Sequence, residues 1–156
     1  MLYRLRGLAA VFAATIALAL GGCAQFQSGH ADTVAEHRLV IHIDDKDPAK
    51  MNLALNNLAN VYEYYRAKGE PVRVEVVAYG PGLTIFRADK SPVKARLETL
   101  KLAYDNLTYS ACGNTMRAVE KAEHKPVTLV PDVQVVPAGV VRILELEEQG
   151  WSYVRP

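Results

Sequence analysis

The chain has 156 residues, of which half are hydrophobic and 22% are charged, and its formal net charge is +1. That length supports one domain with a substantial core, and the composition is typical of a globular protein. The 18 lysines and arginines are spread along the chain and form no basic run. A nucleic acid is therefore not expected as a partner.

The N-terminus has the layout of an export signal. Arg4 and Arg6 precede an uncharged, largely apolar stretch over residues 7–22. A basic end followed by a short apolar segment is typical of such signals. The stretch is shorter than the roughly 20 residues that a membrane-spanning helix needs, so a permanent transmembrane anchor is the weaker interpretation. We predict a signal peptide over residues 1–22.

The signal ends in Leu20-Gly21-Gly22-Cys23, which resembles the lipobox of bacterial lipoproteins. In that motif the cysteine receives a diacylglycerol and becomes the first residue of the mature protein. The resemblance implies lipidation of Cys23. Because no aspartate follows the cysteine, it also implies anchoring to the outer membrane, with the chain facing the periplasm. The alternative is ordinary cleavage near Ala31, which would release a soluble periplasmic protein.

The residues after the signal divide into a tether and a domain. Residues 23–36 begin with Cys23 and continue with small and polar residues without periodicity, which is typical of a flexible tether. Residues 37–156 contain no internal repeat and are predicted to form one domain.

The domain opens with a predicted strand and a predicted helix. Residues 37–44 are a short β-branched run, typical of a strand. Asp47 followed by Pro48 indicates a helix start, and Gly69 indicates its end. Apolar side chains recur at three- and four-residue spacing between these signals and predict the inner face of the helix. These side chains are Met51, Leu55, Leu58, Tyr62 and Tyr65.

The middle of the domain repeats this alternation. Residues 71–80 predict a second strand and residues 80–83 a turn. Ser91-Pro92 predicts the start of a second helix. Residues 107–111 predict a short third strand. The inner face of the second helix is predicted to consist of Val93, Leu97, Leu100 and Tyr104.

The last part of the domain completes the pattern. A third helix is predicted from residue 114 or 115 to about residue 123, a fourth strand over residues 132–137, a fourth helix over residues 139–149 and a final strand over residues 151–154. Strict alternation of strands and helices predicts an α/β fold. We expect a single three-layer α/β/α domain with a mainly parallel sheet of roughly five strands.

Polar loops follow three of the predicted strands. They cover residues 44–47, 79–82 and 112–115. In open parallel sheets, ligands bind beyond the carboxyl ends of the strands, so these loops are expected to form one cleft. The candidate binding residues in it are Tyr79, Gly80, Gly113, Asn114 and Thr115, around Cys112.

Cys112 is the candidate nucleophile of this cleft. It lies between a strand end and a helix start, where the helix dipole and free N–H groups stabilise a thiolate. If Cys23 is lipidated or removed, Cys112 is a single unpaired cysteine in an oxidising compartment. Gly113 would clear space for a second sulfur, and Asn114 and Thr115 would donate hydrogen bonds or cap the helix. The alternative is that Cys112 is a small buried apolar residue.

Asn52 is a further candidate for the cleft. Asparagines recur at four-residue spacing along the first helix, and only Asn52 is near enough to the strand ends to reach the cleft. The asparagines alternatively face solvent or a polar subunit contact. His42 alternates with apolar residues and is interpreted as a core or interface residue.

No metal site and no cofactor is expected. The histidines are scattered, and the cysteines lack ligand spacing. Asp44, Asp45 and Asp47 are interpreted as a solvated turn with a helix cap. The sequence contains no G-x-G-x-x-G and no Walker pattern.

Residues 38–156 resemble the DsrE/DsrF-like family of small sulfur-relay proteins. The resemblance is carried by four segments and by their order. The segments are "VIHIDDKDPAKMNLALNNLANV", "VEVVAYGPGL", "ACGNTM" and "VVPAGVVRILELEEQGWSYVRP". It implies a compact three-layer α/β/α fold, assembly into trimers or hexamers, and a persulfide on Cys112. The sequence departs from the relay members in two respects. Gly-Asn-Thr-Met follows the cysteine in place of an alanine-rich, basic-ended helix start, and the chain carries an export signal.

Three functions compete on this basis. The leading prediction is a cell-envelope sulfur carrier that holds sulfane sulfur on Cys112, with donor and acceptor proteins or small thiols as partners. The second is a non-catalytic module that binds a small ligand or a protein and in which Cys112 is structural. The third is an envelope assembly protein that uses Tyr62, Tyr64 and Tyr65 at an interface.

Overall fold

The computed structural model describes residues 36–156. The predicted signal peptide, Cys23 and all but the last residue of the predicted tether lie outside the described residues. Within the described part, no helix combines the length and apolar character needed to cross a membrane. The elements are β1 (His37–Ile43), α1 (Pro48–Lys68), β2 (Val72–Ala78), a 3₁₀ helix (Gly80–Phe86), α2 (Lys94–Ala103), β3 (Leu107–Cys112), α3 (Gly113–Glu123), β4 (Val133–Val136), α4 (Gly139–Glu148) and β5 (Ser152–Val154).

The five strands form one sheet in the order β4-β3-β2-β1-β5, and every neighbouring pair is parallel. This confirms the predicted α/β fold with a parallel five-stranded sheet. The chain adds strands in one direction from β1 to β4 and then returns past all of them to β5. Because crossovers between parallel strands keep one hand, the last one places α4 on the opposite face of the sheet from the others.

The first face of the sheet carries the large core. Side chains of α1, the 3₁₀ helix and α2 pack there on alternate residues of the strands, among them Ile41, Val76 and Tyr109. The start of α1 is as predicted, because the Asp47 carboxylate accepts the backbone N–H of Ala49 at 2.8 Å. The buried side chains of α1 are Met51, Ala54, Leu55, Leu58 and Tyr62.

The three tyrosines at the end of α1 have different surroundings. Tyr62 is buried and stacks on Tyr104 with ring centroids 3.9 Å apart. Tyr65, which was predicted to lie on the inner face, is half-buried and stacks on His37 at 3.8 Å. Tyr64 is exposed. Core packing therefore accounts for Tyr62 and leaves Tyr64 on the surface.

The second face of the sheet carries α4. Val40 and Val77 pack there against Ile143 and Leu146, with Tyr79 and Trp151 at the edge of the cluster. Within residues 36–156, α4 is the helix that packs on this face. It is a smaller core than that of the first face.

Three predicted boundaries differ clearly from the structure. Helix α2 begins at Lys94, not at Ser91-Pro92. The turn expected over residues 80–83 is the start of a 3₁₀ helix that continues to Phe86 and buries Leu83 and Ile85. It packs so closely on β1 that a Cβ at Gly82 would lie 2.1 Å from the Ile43 carbonyl oxygen. Helix α3 begins at Gly113 rather than at residue 114 or 115. The residue that caps it is therefore Cys112.

Candidate functional site

Cys112 ends β3 and caps α3. Its backbone is extended, and its Sγ accepts the backbone N–H of Thr115 at 3.5 Å. The side chain is directed to the second face, in register with Val136 of β4. Only 5% of the residue is exposed, and its thiol is free. The sulfur thus occupies the position that a serine or aspartate oxygen takes at an ordinary helix start.

The start of a second helix, α4, also lies close to Cys112. Gly139 is the first residue of α4, and its backbone N–H is among the groups that lower the pKa of the thiol. A Cβ at Gly139 would lie 2.8 Å from Cδ1 of Tyr79 and 3.2 Å from Cβ of Cys112. Glycine is therefore the residue that lets the start of α4 approach the sulfur. The positive ends of two helix dipoles meet at one thiol.

These surroundings lower the pKa of the Cys112 thiol. Burial by itself acts in the opposite direction and raises it. The hydroxyl of Thr115 and the backbone N–H groups of Gly139, Thr115 and Asn114 outweigh burial, because all of them stabilise the thiolate. The Thr115 oxygen accepts the Gly80 N–H at 3.0 Å, so its own proton is free to point at the sulfur.

Three aromatic side chains border the site on the side of β1. The rings of Tyr79 and His42 are stacked with centroids 4.3 Å apart. A hydrogen bond of 2.8 Å joins Nδ1 of His42 to the hydroxyl of Tyr153. Burial lowers the pKa of His42, so the imidazole is neutral near pH 7. Burial also raises the pKa of Tyr79, which stays a neutral phenol beside the thiol.

Two depressions are lined by neighbours of Cys112, one by Thr115 and the other by Val136. One, here called the α3 cleft, has a volume of about 480 Å³. The other, here called the α4 groove, has a volume of about 400 Å³. The cleft is lined by Gly80, Pro81, Asn114, Thr115, Ala118, Val119 and Ala122. The groove is lined by Gln134, Val135, Val136, Pro137, Ala138, Val141, Arg142 and Glu145.

The structure brings most of the predicted site residues together. Tyr79, Gly80 and Thr115 surround Cys112 as described above. The Asn114 backbone N–H donates to the Pro137 carbonyl oxygen at 3.2 Å and also helps to lower the pKa of the thiol, whereas the Asn114 side-chain oxygen accepts a hydrogen bond from Arg117. These residues come from the two segments that follow β2 and β3, as expected for the carboxyl ends of parallel strands.

Gly113 serves a different purpose from the one predicted. It is buried against β4, and a Cβ there would lie 3.1 Å from the Val136 carbonyl oxygen and 3.3 Å from Cγ1 of Val135. The room left by its missing side chain is therefore taken by β4, not left open for a second sulfur.

Asn52 lies apart from this group. Its side-chain oxygen accepts Nη1 of Arg96 at 2.6 Å, and Asn56 accepts Nη2 of the same guanidinium at 2.8 Å. The repeated asparagines thus bind α1 to α2 on the first face, whereas the Cys112 side chain is on the second. The structure gives Asn52 a packing role rather than a place in the cleft.

The carboxylates after β1 are also engaged. Asp47 caps α1, Asp45 pairs with Lys50 at 2.6 Å, and Asp44 pairs with Arg155. Across residues 36–156, no three histidine, cysteine or acidic side chains are grouped as a metal ion would require.

Sequence reasoning missed Gly139 and the pairing of His42 with Tyr153. Gly139 and Cys112 are far apart in the chain, and they meet because β4 lies beside β3. A glycine directly after Ala138 at a helix start carries no local signal of a contact with a thiol. The strand order, which brings β5 beside β1, likewise creates the pairing of His42 with Tyr153.

Comparison with known proteins places these features in a family. The family model of the DsrE/DsrF-like family matches residues 38–156. The solved structure of the protein of unknown function MTH1491 from Methanobacterium thermoautotrophicum is similar, with 34% sequence identity and a TM-score of 0.65. The match covers 77% of this chain and 99% of that one. A search of curated proteins found no match. The chain therefore belongs to the DsrE/DsrF-like family.

Proposed function

We propose that this protein is a sulfur carrier of the cell envelope that holds sulfane sulfur as a persulfide on Cys112. Membership of the DsrE/DsrF-like family indicates a role related to sulfur relay. The observation that carries the proposal is the convergence of the starts of α3 and α4 on one thiol whose pKa is lowered. A thiolate is the form that attacks sulfur, and the same N–H groups would stabilise a persulfide anion.

Loading and unloading are two thiol exchanges of the same kind. The Cys112 thiolate attacks the outer sulfur of a donor persulfide, R–S–SH. A new S–S bond forms on Cys112, the S–S bond of the donor breaks, and the donor leaves as the thiolate R–S⁻. An acceptor thiolate then attacks the outer sulfur on Cys112, takes it as its own persulfide and releases Cys112 as the thiolate. No net oxidant is needed, because sulfane sulfur is passed on at a constant oxidation level.

The surroundings of the thiol support this chemistry. The α3 cleft is bounded by Gly80, Asn114 and Thr115 and gives a partner a route to the end of α3 that Cys112 caps. Its other lining residues are small or apolar, so a small thiol or the cysteine loop of a partner protein fits it better than a highly charged compound. Donor and acceptor are proposed to be molecules of these two kinds.

The proposed location rests on the N-terminal pattern. We place the protein on the outer membrane, facing the periplasm and tethered by a lipid on Cys23. Labelling with a radioactive or alkyne-bearing fatty acid tests this. The parent chain is expected to take up label and to sediment with membranes, and a Cys23→Ala variant is expected to do neither. Label on neither chain would favour the soluble periplasmic alternative.

Intact-mass spectrometry tests the carrier itself. A Cys23→Ser chain, in which Cys112 is the remaining cysteine, is incubated with a sulfane-sulfur donor beside a Cys23→Ser/Cys112→Ser control. We expect a gain of one sulfur atom that a reductant removes and that the control lacks. The same gain in the control would place the sulfur elsewhere and refute the proposal.

One observation favours the alternative of a binding module with a structural cysteine. Only 5% of Cys112 is exposed, as is common for inert core cysteines. Alkylation separates the two functions. A carrier requires the folded Cys23→Ser chain to react readily at neutral pH, whereas an inert thiol would react only after unfolding.

A further inference from the structure

A buried ion pair lies under the first turn of α4. Glu75 of β2 is 2% exposed, and its carboxylate accepts two hydrogen bonds from Arg142 of α4, at 2.8 and 2.7 Å. A third hydrogen bond of 2.7 Å comes from the hydroxyl of Ser110, which is fully buried in β3 and itself accepts a hydrogen bond from Gln134 at 2.9 Å. The carboxylate is therefore held by a helix and by a neighbouring strand at once.

This pair joins the two elements that meet at the thiol. Arg142 follows Gly139 by three residues, and its backbone N–H donates to the carbonyl oxygen of the residue before Gly139 at 3.0 Å, so it belongs to the first turn of α4. Ser110 precedes Cys112 by two residues on β3, and residues two apart in a strand point to the same face. The Glu75 carboxylate thus connects the first turn of α4 to the strand that ends in Cys112.

The contact between α4 and the site of the sulfur has a narrow tolerance. A Cβ at Gly139 would lie 2.8 Å from Cδ1 of Tyr79 and 3.2 Å from Cβ of Cys112, so the backbone of α4 lies directly against the site. The effect of a helix start on a nearby charge falls off within the first turn of the helix. A displacement of α4 by a fraction of a turn would therefore weaken the stabilisation of the thiolate.

Apolar packing alone does not fix the position of α4 at this level. Ile143 and Leu146 pack on Val40 and Val77 of the sheet, and such contacts are non-directional. The paired N–H groups of an arginine match the two oxygens of a carboxylate in one plane, which adds geometric specificity to the attraction. Arg142 makes this two-pronged contact, so its helix can neither slide nor turn without loss of a hydrogen bond.

Stability is a weaker reason for such a pair than placement. The side chains of Glu75 and Arg142 are 3% and 27% exposed, and the removal of two charges from water offsets most of the attraction between them. We propose that Arg142 and Glu75 are positioning residues for Cys112, because their ion pair holds Gly139 of α4 against the site of the sulfur. Neither side chain is among the groups that act on the thiol directly, so their effect passes through the placement of α4.

This positioning role does not depend on sulfur chemistry and goes beyond the proposed function. It holds whether Cys112 carries a persulfide or not. Charge by itself is the competing explanation, because a nearby guanidinium also favours a thiolate. The decisive variant therefore changes the geometry of the ion pair and keeps its charge.

Arg142→Lys is that variant, made in the Cys23→Ser background. A lysine keeps the buried carboxylate compensated but presents one ammonium in place of the planar fork. We expect the ultraviolet absorbance of the thiolate to appear at higher pH than in the parent, and alkylation at neutral pH to slow on the order of two- to fivefold. Arg73→Lys is the matched control and should match the parent, because Arg73 also binds a carboxylate through Nε and Nη2 but near the opposite end of the sheet. A thiol titration in Arg142→Lys equal to that of the parent, or an equal shift in the control, would overturn the proposal.

An apolar replacement separates positioning from stability. The variant Glu75→Leu/Arg142→Met/Ser110→Ala removes the ion pair together with the hydroxyl that would lose its acceptor, and buried ion pairs often tolerate such a replacement. Its urea unfolding should match that of the parent, while the thiolate should again form only at higher pH. The amide signal of Gly139 in nuclear magnetic resonance should follow the titration of Cys112 in the parent and much less in either variant. A Gly139 signal that follows this titration equally in all three proteins would contradict the positioning role.

Discussion

At the scale of single residues, the reactivity of Cys112 follows from competition between burial and hydrogen bonding. Burial disfavours the thiolate, whereas N–H and O–H groups directed at the sulfur favour it, and in this site the donors prevail. Two residues make this possible. Thr115 supplies a hydroxyl and a backbone N–H, and Gly139 lets a second helix start come close enough to act.

Replacing Thr115 with valine should slow the reaction of Cys112. The change removes the hydroxyl that favours the thiolate, so the pKa of the thiol rises and less thiolate is present at neutral pH. A hydrogen bond to a charged group contributes about 1.5–3 kcal/mol, which corresponds to about one to two pKa units, so alkylation at neutral pH should slow on the order of tenfold or more. The pH dependence of iodoacetamide alkylation in the Cys23→Ser background measures this.

Asn114→Ala is the matched control for that change. The Asn114 side chain accepts a hydrogen bond from Arg117 and makes none to the sulfur of Cys112. Its alkylation profile should stay that of the parent. Equal profiles for all three proteins would show that the Thr115 hydroxyl does not tune the thiol.

Replacing Gly139 with alanine should destabilise the protein and disturb the site together. The new methyl group would lie 2.8 Å from Cδ1 of Tyr79, so Tyr79 or the start of α4 must shift. Overpacking of this kind costs about 1–3 kcal/mol of the free energy of unfolding. Urea unfolding and alkylation of Cys112 are measured together, with Glu148→Ala at the exposed end of α4 as the control. An unfolding midpoint and an alkylation rate that both match the parent would contradict the close approach.

At the scale of elements, the contact between α1 and α2 explains why asparagine recurs along α1. Asparagine is a mediocre helix former, yet it recurs along α1. Arg96 of α2 donates to Asn52 and Asn56 at once, and this single guanidinium accounts for both positions. The asparagines therefore fix the placement of α2 on α1.

Asn52→Ala should lower stability without changing the thiol. Compared with Asn60→Ala, an exposed change on the same helix with the same gain in helix propensity, the free energy of unfolding should fall by about 1 kcal/mol more. The alkylation rate of Cys112 should equal that of the parent. Slower alkylation of Cys112 in Asn52→Ala but not in Asn60→Ala would show that Asn52 belongs to the site after all.

At the scale of the whole molecule, a buried arginine connects segments that the sheet does not. Arg87, at the end of the 3₁₀ helix, is 4% exposed. It binds Asp89 through two hydrogen bonds of 3.0 Å and Glu123 of α3 through two of 2.7 Å. Lys90 and Lys125 extend the cluster at 2.7 and 2.9 Å. The cluster joins the 3₁₀ helix to the end of α3 and to the segment that leads to β4.

This cluster predicts acid lability. The hydrogen bonds from Arg87, with those from Lys90, hold the pKa of Glu123 at about 2, against an ordinary value of 4.5, and those from Arg87 and Lys125 lower the pKa of Asp89. A lowered pKa in the folded state means that the stabilisation is complete above the ordinary value and is lost as the pH falls toward 2. Urea unfolding between pH 6 and pH 2 should show this fall.

Glu123→Gln should reduce stability near neutral pH and flatten the fall below pH 4.5. Glu98→Gln, at an exposed position of α2, should leave the pH profile unchanged. A Glu123→Gln profile parallel to that of the parent would mean that the cluster does not control acid stability.

The predictable part of this protein is the part with a local cause. The helix cap at Asp47, the apolar spacing along α1 and α2 and the β-branched runs each depend on residues within one element, and each was predicted correctly. The 3₁₀ helix was missed because its apolar residues are buried by β1, not by a periodic pattern of its own. The start of α3 was placed late because a thiol, which is not a usual capping group, caps it.

The sequence alone determined the alternation of strands and helices, and with it a parallel sheet whose loops collect at one edge around Cys112. It did so because hydrophobic spacing and capping residues act over a few positions. Tertiary structure alone decided that α4 begins against the sulfur, that Asn52 and Asn56 accept hydrogen bonds from Arg96, and that α4 is the helix of residues 36–156 that packs on the second face of the sheet. These outcomes depend on the order of the strands in the sheet, which brings residues distant in the chain into contact and leaves no trace in any short segment.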